Sequence, residues 1–201
     1  MYNYNIYISN QSFSMPGWLI LPNKTVKWCL VFWLQIIKHL KFKCGIRLKF
    51  IPKRMEKDEA YQISEWRYEP PYSFYNLNAD LEDLQEFLDF KNRPENKYFS
   101  VFDNSGDLVG FYEFTHKEDC IEMGLGMRPD LTGRGLGLSF VKTGIEFIRL
   151  SFVPEIIRLQ VLSSNERAKI VYERAGFKSV KKVLLENDVG KNEFIEMELN
   201  L

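Results

Sequence analysis

The chain has 201 residues, 45% of them hydrophobic and 27% charged, enough for one globular domain with a proper core and some additional length. Its 27 Lys and Arg balance its 27 Asp and Glu, but residues 1–55 hold nine basic side chains and no acidic one, so the acidic surplus falls on the remainder. Cys29, Cys44 and Cys120 are scattered without a C-x-x-C pair and only His39 and His116 supplement them, which argues against a metal site or a disulfide framework. Free thiols and the lack of a secretory pattern in the first fifteen residues lead to the expectation of a cytoplasmic protein.

Residues 1–45 are rich in Tyr, Asn, Trp and Lys, and their only sustained apolar run is Trp28 to Ile37. A membrane-spanning helix needs about 20 apolar residues, and this run meets Lys27 and Lys38 at its two ends. The preferred reading is an extension outside the domain with no part in catalysis. The less favoured one is a basic, aromatic helix lying on a membrane surface or a partner.

From Ile46 the pattern becomes regular, and residues 46–201 read as the domain. Ile46, Leu48 and Phe50 alternate as a first strand. Asp58 and Asp80 stand as N-caps before two amphipathic helices, with the proline-interrupted aromatic stretch Tyr68 to Tyr75 between them. Tyr98 to Phe102 and Leu108 to Phe114 flank the turn-forming Asp103 to Asp107 as a hairpin, and Cys120 to Met127 is a third strand. A helix follows from about Gly135 to Phe152, with Val141, Ile145, Ile148 and Phe152 along one face and Pro154 ending it. Ile156 to Leu162 is a strand, Asn165 to Ala175 a helix closed by Gly176, and Phe177 to Leu185 with Phe194 to Leu199 a final strand pair. The expected class is α/β with a mixed sheet: strand, two helices, three strands, helix, strand, helix, two strands.

Two stretches carry chemistry. In Met127-Arg-Pro-Asp-Leu-Thr-Gly-Arg-Gly-Leu-Gly137 a strand runs through a glycine-rich loop into a helix start. Successive N–H groups there can face phosphate oxygens, the helix dipole adds positive potential, and Arg134 supplies mobile charge. Tight turns alone also account for such glycines. Their spacing matches neither the P-loop nor the dinucleotide fingerprint. In the second stretch, Ser163 and Glu166 have the spacing of a capping box, Asn165 falls in the first turn, and Ala168 and Tyr172 share a face.

Together the two stretches resemble the GNAT superfamily of acetyl-CoA-dependent N-acetyltransferases, with Thr132-Gly-Arg-Gly-Leu-Gly137 at the pyrophosphate loop and Asn165, Ala168, Tyr172, Gly176 and Phe177 in the helix motif. The chain departs from the pattern at Thr132, where Arg or Gln is usual. The resemblance covers about residues 46–200 and implies the GNAT fold, acetyl-CoA as co-substrate and direct attack by an amine without a covalent enzyme intermediate.

The resemblance further implies Tyr172 as general acid for the leaving thiolate and Asn165 as a contact of the pantetheine arm. The backbone around Met127, Thr132, Gly133, Arg134, Gly135, Leu136, Gly137 and Leu138 would hold the thioester carbonyl and the pyrophosphate. Tyr72, Phe74 and Tyr75 fall in the acceptor loop. Glu122, which alternates onto the face of Gly124 and Gly126, is the first candidate for the base and Glu113 the second. Those two glycines fit a close approach by a cofactor arm or a neighbouring element. The expected partner is a small-molecule or peptide amine, and nucleic acid is not expected. The acidic surplus of the domain suits a cationic acceptor. An acetyl-CoA-binding sensor of the same fold that transfers nothing is the competing reading.

Overall fold

The computed structural model describes residues 50–92, 94–187 and 190–201. Residues 1–45 and most of the expected strand at Ile46 to Phe50 lie outside them. The first described strand, β1 (Ile51–Arg54), starts directly after the buried Phe50. It joins β2 (Tyr98–Phe102), β3 (Leu108–His116), β4 (Ile121–Met127), β5 (Ile156–Leu162), β6 (Lys178–Asn187) and β7 (Gly190–Asn200) in one sheet of order β1-β2-β3-β4-β5-β7-β6. The helices are α1 (Lys57–Ser64), α2 (Leu81–Leu88), α3 (Gly137–Ser151) and α4 (Glu166–Ala175). Strand and helix order match the sequence reading.

Helix starts differ from it in two places. At α1 the cap is Glu56, whose N–H donates to the Glu59 carboxylate at 2.8 Å, while Asp58 falls inside the first turn. At α4 the cap is Asn165, its Oδ1 accepting the Ala168 N–H at 3.2 Å. Ser163 remains tied to the sheet instead, since its N–H donates to the Glu193 carbonyl (2.9 Å) and its carbonyl accepts from Lys169 (2.8 Å). Asp80 caps α2 as expected, accepting from the N–H groups of Glu82 (3.0 Å) and Asp83 (3.2 Å).

Two apolar cores form on the sheet. One holds Phe140, Val141, Ile145 and Ile148 of α3 against Tyr112, Phe114, Met123 and Ile157. Burying a Phe or Ile side chain of this kind contributes about 1.5–3 kcal/mol. Gly144 lets α3 settle on the strands, because a Cβ there would stand 2.3 Å from the Met123 terminal methyl and 3.2 Å from the Tyr112 ring. The second core gathers Ala60 and Ile63 of α1 and Phe87 of α2 around Tyr98 and Leu108.

One break in the sheet positions the site. All neighbouring strands are antiparallel except β4 and β5, and these pair only at Ile121↔Ile157 and Glu122↔Arg158. Past Glu122 the two strands part. Being parallel, they open toward the same end, where the chain leaving β4 leads into α3 and the chain leaving β5 leads into α4. A fork whose two prongs each run into a helix N-terminus is a natural ligand crevice.

Candidate active site

A cavity of about 650 Å³ fills this fork. Its floor is Gly124, Leu125 and Gly126 of β4 facing Gln160 and Val161 of β5, and its far wall is Asn165, Ala168 and Tyr172 of α4. The loop after β4 forms one end. A short 3-10 turn at Pro129–Leu131 is closed by Thr132, whose N–H and hydroxyl both donate to the Pro129 carbonyl, at 3.1 and 2.8 Å. The side chain standing where Arg or Gln is usual is therefore spent on shaping the turn. Gly133 and Gly135 adopt φ of +74° and +76°, which L side chains rarely tolerate, and no heavy atom lies within 4 Å of a Cβ built on either.

Among the described residues nothing accepts a hydrogen bond from the backbone N–H groups of Gly135, Leu136, Gly137 and Leu138. Four converging donors at the start of a 15-residue helix, beside two glycines with open space above them, fit a pyrophosphate. Arg174 of α4 also lines the cavity.

Of the five tyrosines lining the cavity, Tyr68, Tyr75 and Tyr172 use their hydroxyls differently. The Tyr68 hydroxyl donates to the Met127 carbonyl at 2.8 Å. The Tyr75 hydroxyl accepts from the Leu162 N–H (3.3 Å) and from Asn165 Nδ2 (3.1 Å). The Tyr172 hydroxyl has no hydrogen-bond partner among the described residues, although its ring packs edge-on to Phe177. Burial pushes the Tyr172 phenol well above its ordinary value of 10.0, and the neighbouring Tyr75 and Tyr68 push it further. Asn165 thus caps α4 with its oxygen and tethers the aromatic loop of Tyr68 to Tyr75 with its nitrogen. The same loop is held by Tyr72, whose ring lies 4.1 Å beneath the Arg167 guanidinium, and by Phe74 against Phe194.

The end of the cavity toward α2 is acidic. Asp80, Asp83 and Glu86 of α2 face Glu113 of β3. Glu113 is ion-paired with Lys97 at 3.2 Å, and Lys97 also binds Glu86. Burial raises the Glu113 carboxyl above its ordinary range, against the lowering effect of Lys97. Asp83 is raised as well, by burial and then by the charges of Asp80 and Glu86. Burial works to lower the Lys97 ammonium, but its bonds to Glu86 and Glu113 outweigh this and hold it high.

Most of the residues singled out in the sequence come together here: Met127, Thr132, Gly133, Gly135, Gly137, Leu138, Asn165 and Tyr172, with Tyr72, Phe74 and Tyr75, all line the cavity. Arg134 and Leu136 belong to the cradle loop but their side chains do not line it. Glu122 does not line it either. It sits at the zipped end of the fork, opposite Arg158, and pairs with Lys117 at 3.4 Å. The second-ranked Glu113 is the strand carboxylate that reaches the cavity.

The two strand glycines serve neighbours more than a cofactor arm. The Phe111 ring covers Gly126, 2.2 Å from a built Cβ, and the Glu113 side chain covers Gly124. Asp83 and Glu86 went unread in the sequence, and Tyr68 was read only as the start of the aromatic stretch. The recurrence of Asp80, Asp83 and Glu86 every three residues on a helix was the available signal for the acidic wall.

Comparison with known proteins shows the family of the chain. The family model for the acetyltransferase (GNAT) family matches residues 58–177. A mycothiol acetyltransferase of Propionibacterium freudenreichii subsp. shermanii is 37% identical over 103 residues, which cover 46% of this chain and 33% of that protein. The chain thus spans about a third of that relative's length. An acetyltransferase (GNAT family) from Bacillus anthracis has a similar structure, with a TM-score of 0.61 at 15% identity over 76% of this chain and 95% of that one. The spermidine N-acetyltransferase from Vibrio cholerae, solved in complex with CoA and spermine, gives 0.58 at 18% identity over 75% and 95%. At these identities the solved structures show a shared fold. Among the described residues no helix is long and apolar enough to cross a membrane.

Proposed function

The chain belongs to the GNAT acetyltransferase family, and on that premise we propose that it moves an acetyl group from acetyl-CoA to a primary amine of a small cationic acceptor. The observation that carries this reading is the polarity of a single cavity. Backbone donors with no acceptor among the described residues, the carboxylates of Asp80, Asp83, Glu86 and Glu113, and the Tyr172 hydroxyl, which has no hydrogen-bond partner among the described residues, all belong to it. An anionic carrier and a cationic acceptor would thereby be drawn to opposite ends with their reacting groups meeting in the middle.

The chemistry then follows from the residues. An alkyl ammonium with a pKa of about 10 must lose a proton before it can attack. Glu113, with its carboxyl raised by burial, is suited to take it. The neutral amine nitrogen forms a bond to the acetyl carbon, the carbon–sulfur bond breaks and the thiolate takes the Tyr172 proton, while the nitrogen sheds the one hydrogen that an amide does not keep, as a proton that passes through solvent to restore Tyr172. The backbone of the cradle loop would hold the pyrophosphate. Residues 1–45 stand outside this scheme, and we place the reaction in the cytoplasm.

Thiol release from acetyl-CoA, measured against a panel of diamines, polyamines, amino sugars, lysine and N-terminal peptides with water as a control, tests the proposal. Faster release with a polycationic amine than with neutral or anionic amines is the expected result. Tight acetyl-CoA binding with no release above the water control for any amine would replace the enzyme by a sensor.

A further inference from the structure

The two carboxylate oxygens of Glu113 have different surroundings. Oε1 is ion-paired with the Lys97 ammonium at 3.2 Å. Oε2 stands 3.3 Å from a Cβ built on Gly124, so it lies over a residue of the cavity floor, and no described side chain pairs with it. Lys97 itself does not line the cavity. Its side chain is only 13% exposed and stands behind the wall, bound to Glu86 of α2 as well as to Glu113, with Nζ 5.2 Å from the centre of the Tyr98 ring. An ammonium carries three donors and no acceptor, which suits a clamp that reaches two carboxylates at once.

Backbone pairing sets where that clamp sits. The Lys97 carbonyl accepts from the Phe114 N–H at 2.7 Å, and Tyr98 stands opposite Glu113 in the β2–β3 ladder, so Lys97 is anchored beside the carboxylate it binds. We infer that Lys97 is a positioning residue of the transfer reaction: its ammonium fixes Glu113 by Oε1 from behind the wall and leaves Oε2 to take the proton of the incoming amine. In that step an N–H bond of the acceptor ammonium breaks and an O–H bond forms at Oε2, with the electron pair left on nitrogen. Burial works against the charge of Lys97, but its bonds to Glu86 and Glu113 hold the ammonium high, so it keeps its protons throughout. The inference rests on the reading of Glu113 as the base and extends it to the cation that presents that base.

The same contact acts on charge. Glu113 faces Lys97, Tyr98 of β2, and Asp83 and Glu86 of α2, with Asp80 capping that helix, while β4 offers it the uncharged Gly124. Burial first, then Glu86 and Asp83, favour the protonated carboxyl, and Lys97 opposes them. Without Lys97 the carboxyl would stay protonated to higher pH and could not accept a proton there.

Lys97→Met, Lys97→Arg and Glu113→Gln, with Lys97→Met repeated in the Glu113→Gln background, decide it. Thiol release is measured from about pH 5 to 9 with the amine of the panel that turns over fastest, or with water if none exceeds it. It is expressed per acetyl-CoA-binding equivalent so that unfolded protein does not count. Lys97→Met should lower kcat about tenfold at the acid end and less at the alkaline end, with the acid limb moved to higher pH. Lys97→Arg should keep kcat within about threefold and the limb in place, and Lys97→Met should cause no further loss in the Glu113→Gln background. If Lys97→Met yields no protein that binds acetyl-CoA, Lys97→Met with Glu86→Gln, which also removes one of the carboxylates left unpaired, takes its place with the same expectations. A loss equal at every pH, or equal in the Glu113→Gln background, would overturn the inference and leave Lys97 as a clasp between α2 and the sheet. An acid limb kept by Glu113→Gln would instead overturn the base reading on which the inference stands, and that outcome is read from the single variant.

Discussion

Glu113 and Gly124 face each other across the β3–β4 ladder, and a Cβ built on Gly124 would stand 3.2 Å from the Glu113 Cβ and 3.3 Å from its Oε2. The missing side chain is what lets the carboxylate lie over β4 and reach the cavity. Gly124→Ala should therefore push Glu113 aside by a few tenths of an ångström and strain its bond to Lys97. The expected outcome is a protein that still melts cooperatively, with kcat reduced about tenfold and acetyl-CoA binding unchanged. An unaltered kcat would show that the carboxylate can shift without consequence and would weaken its role as the base.

The Glu113 carboxyl is held above the 4.5 of an ordinary glutamate, by burial first and against the pull of Lys97. A base works only when ionised, so the acid limb of the kcat/KM profile should lie at higher pH than an exposed glutamate gives. For stability the sign is opposite to that of a salt-bridged acid. The folded state holds this proton more tightly than the unfolded chain, so Glu113 favours folding below pH 4.5 and loses that contribution as pH rises through its folded value. Glu113→Gln should remove the acid limb and lower kcat by roughly 10². A pH profile measured on that variant that keeps the same limb would assign it to another group.

Gly135 combines a positive φ of +76° with open space above its Cα. The Cβ of a side chain there would meet no atom of the described residues, so the cost to folding is chiefly conformational, about 1–2 kcal/mol. The same side chain would occupy the place where phosphate oxygens must meet the N–H groups. Gly135→Val should melt a few degrees lower and lose the thermal shift that acetyl-CoA gives the wild type. A retained full shift would move the pyrophosphate elsewhere.

Tyr172→Phe separates chemistry from packing. Its ring sits against Phe177, and removing the oxygen breaks no hydrogen bond among the described residues, so the melting temperature should stay within about a degree or two. Acetyl-CoA affinity should change little while kcat falls by roughly 10² or more. A drop in stability with turnover intact would reveal a structural tyrosine.

The elements were legible because local signals agreed with the fold: the turn cluster Asp103 to Asp107 between β2 and β3, the 3.6-residue stripe of α3, and Gly176 at φ +108° ending α4. Caps were less legible where two acceptors stood close together. Glu56 competed with Asp58 and Asn165 with Ser163, and the choice fell to whichever residue the incoming strand left free. The glycine-rich loop and Tyr172 stood out in the sequence because each lies in a contiguous motif, and both line the cavity. Which strand carboxylate lines the cavity was less legible, because Glu122 and Glu113 sit on neighbouring strands with similar local patterns and only the point where β4 leaves β5 decides it. The tether from Asn165 to Tyr75 spans 90 residues and has no local signature.

The acidic wall gives the most direct test of acceptor charge, and Asp83 is the position to change. Glu86 and Glu113 both hold Lys97, so replacing either would release a cation into the site and confuse the result. Asp83 has no ion-pair partner among the described residues, and its carboxyl is raised by burial and by the charges of Asp80 and Glu86. Such a group gains from an arriving cation. The side chain is largely exposed, so solvent screens the attraction, which should amount to about 1 kcal/mol or less. Asp83→Asn should accordingly raise the KM for a diamine or polyamine two- to fivefold and leave that for a monoamine nearly unchanged, since a second ammonium is needed to reach the wall while the first is acetylated. Kcat at saturation should be preserved. The difference between variant and wild type should shrink as ionic strength rises from 0.05 to 0.5 M, over which the screening length falls from roughly 14 to 4 Å. A KM for the polycation that is indifferent both to the substitution and to salt would remove charge from the recognition of the acceptor and leave the aromatic loop of Tyr72 and Phe74 as its determinant.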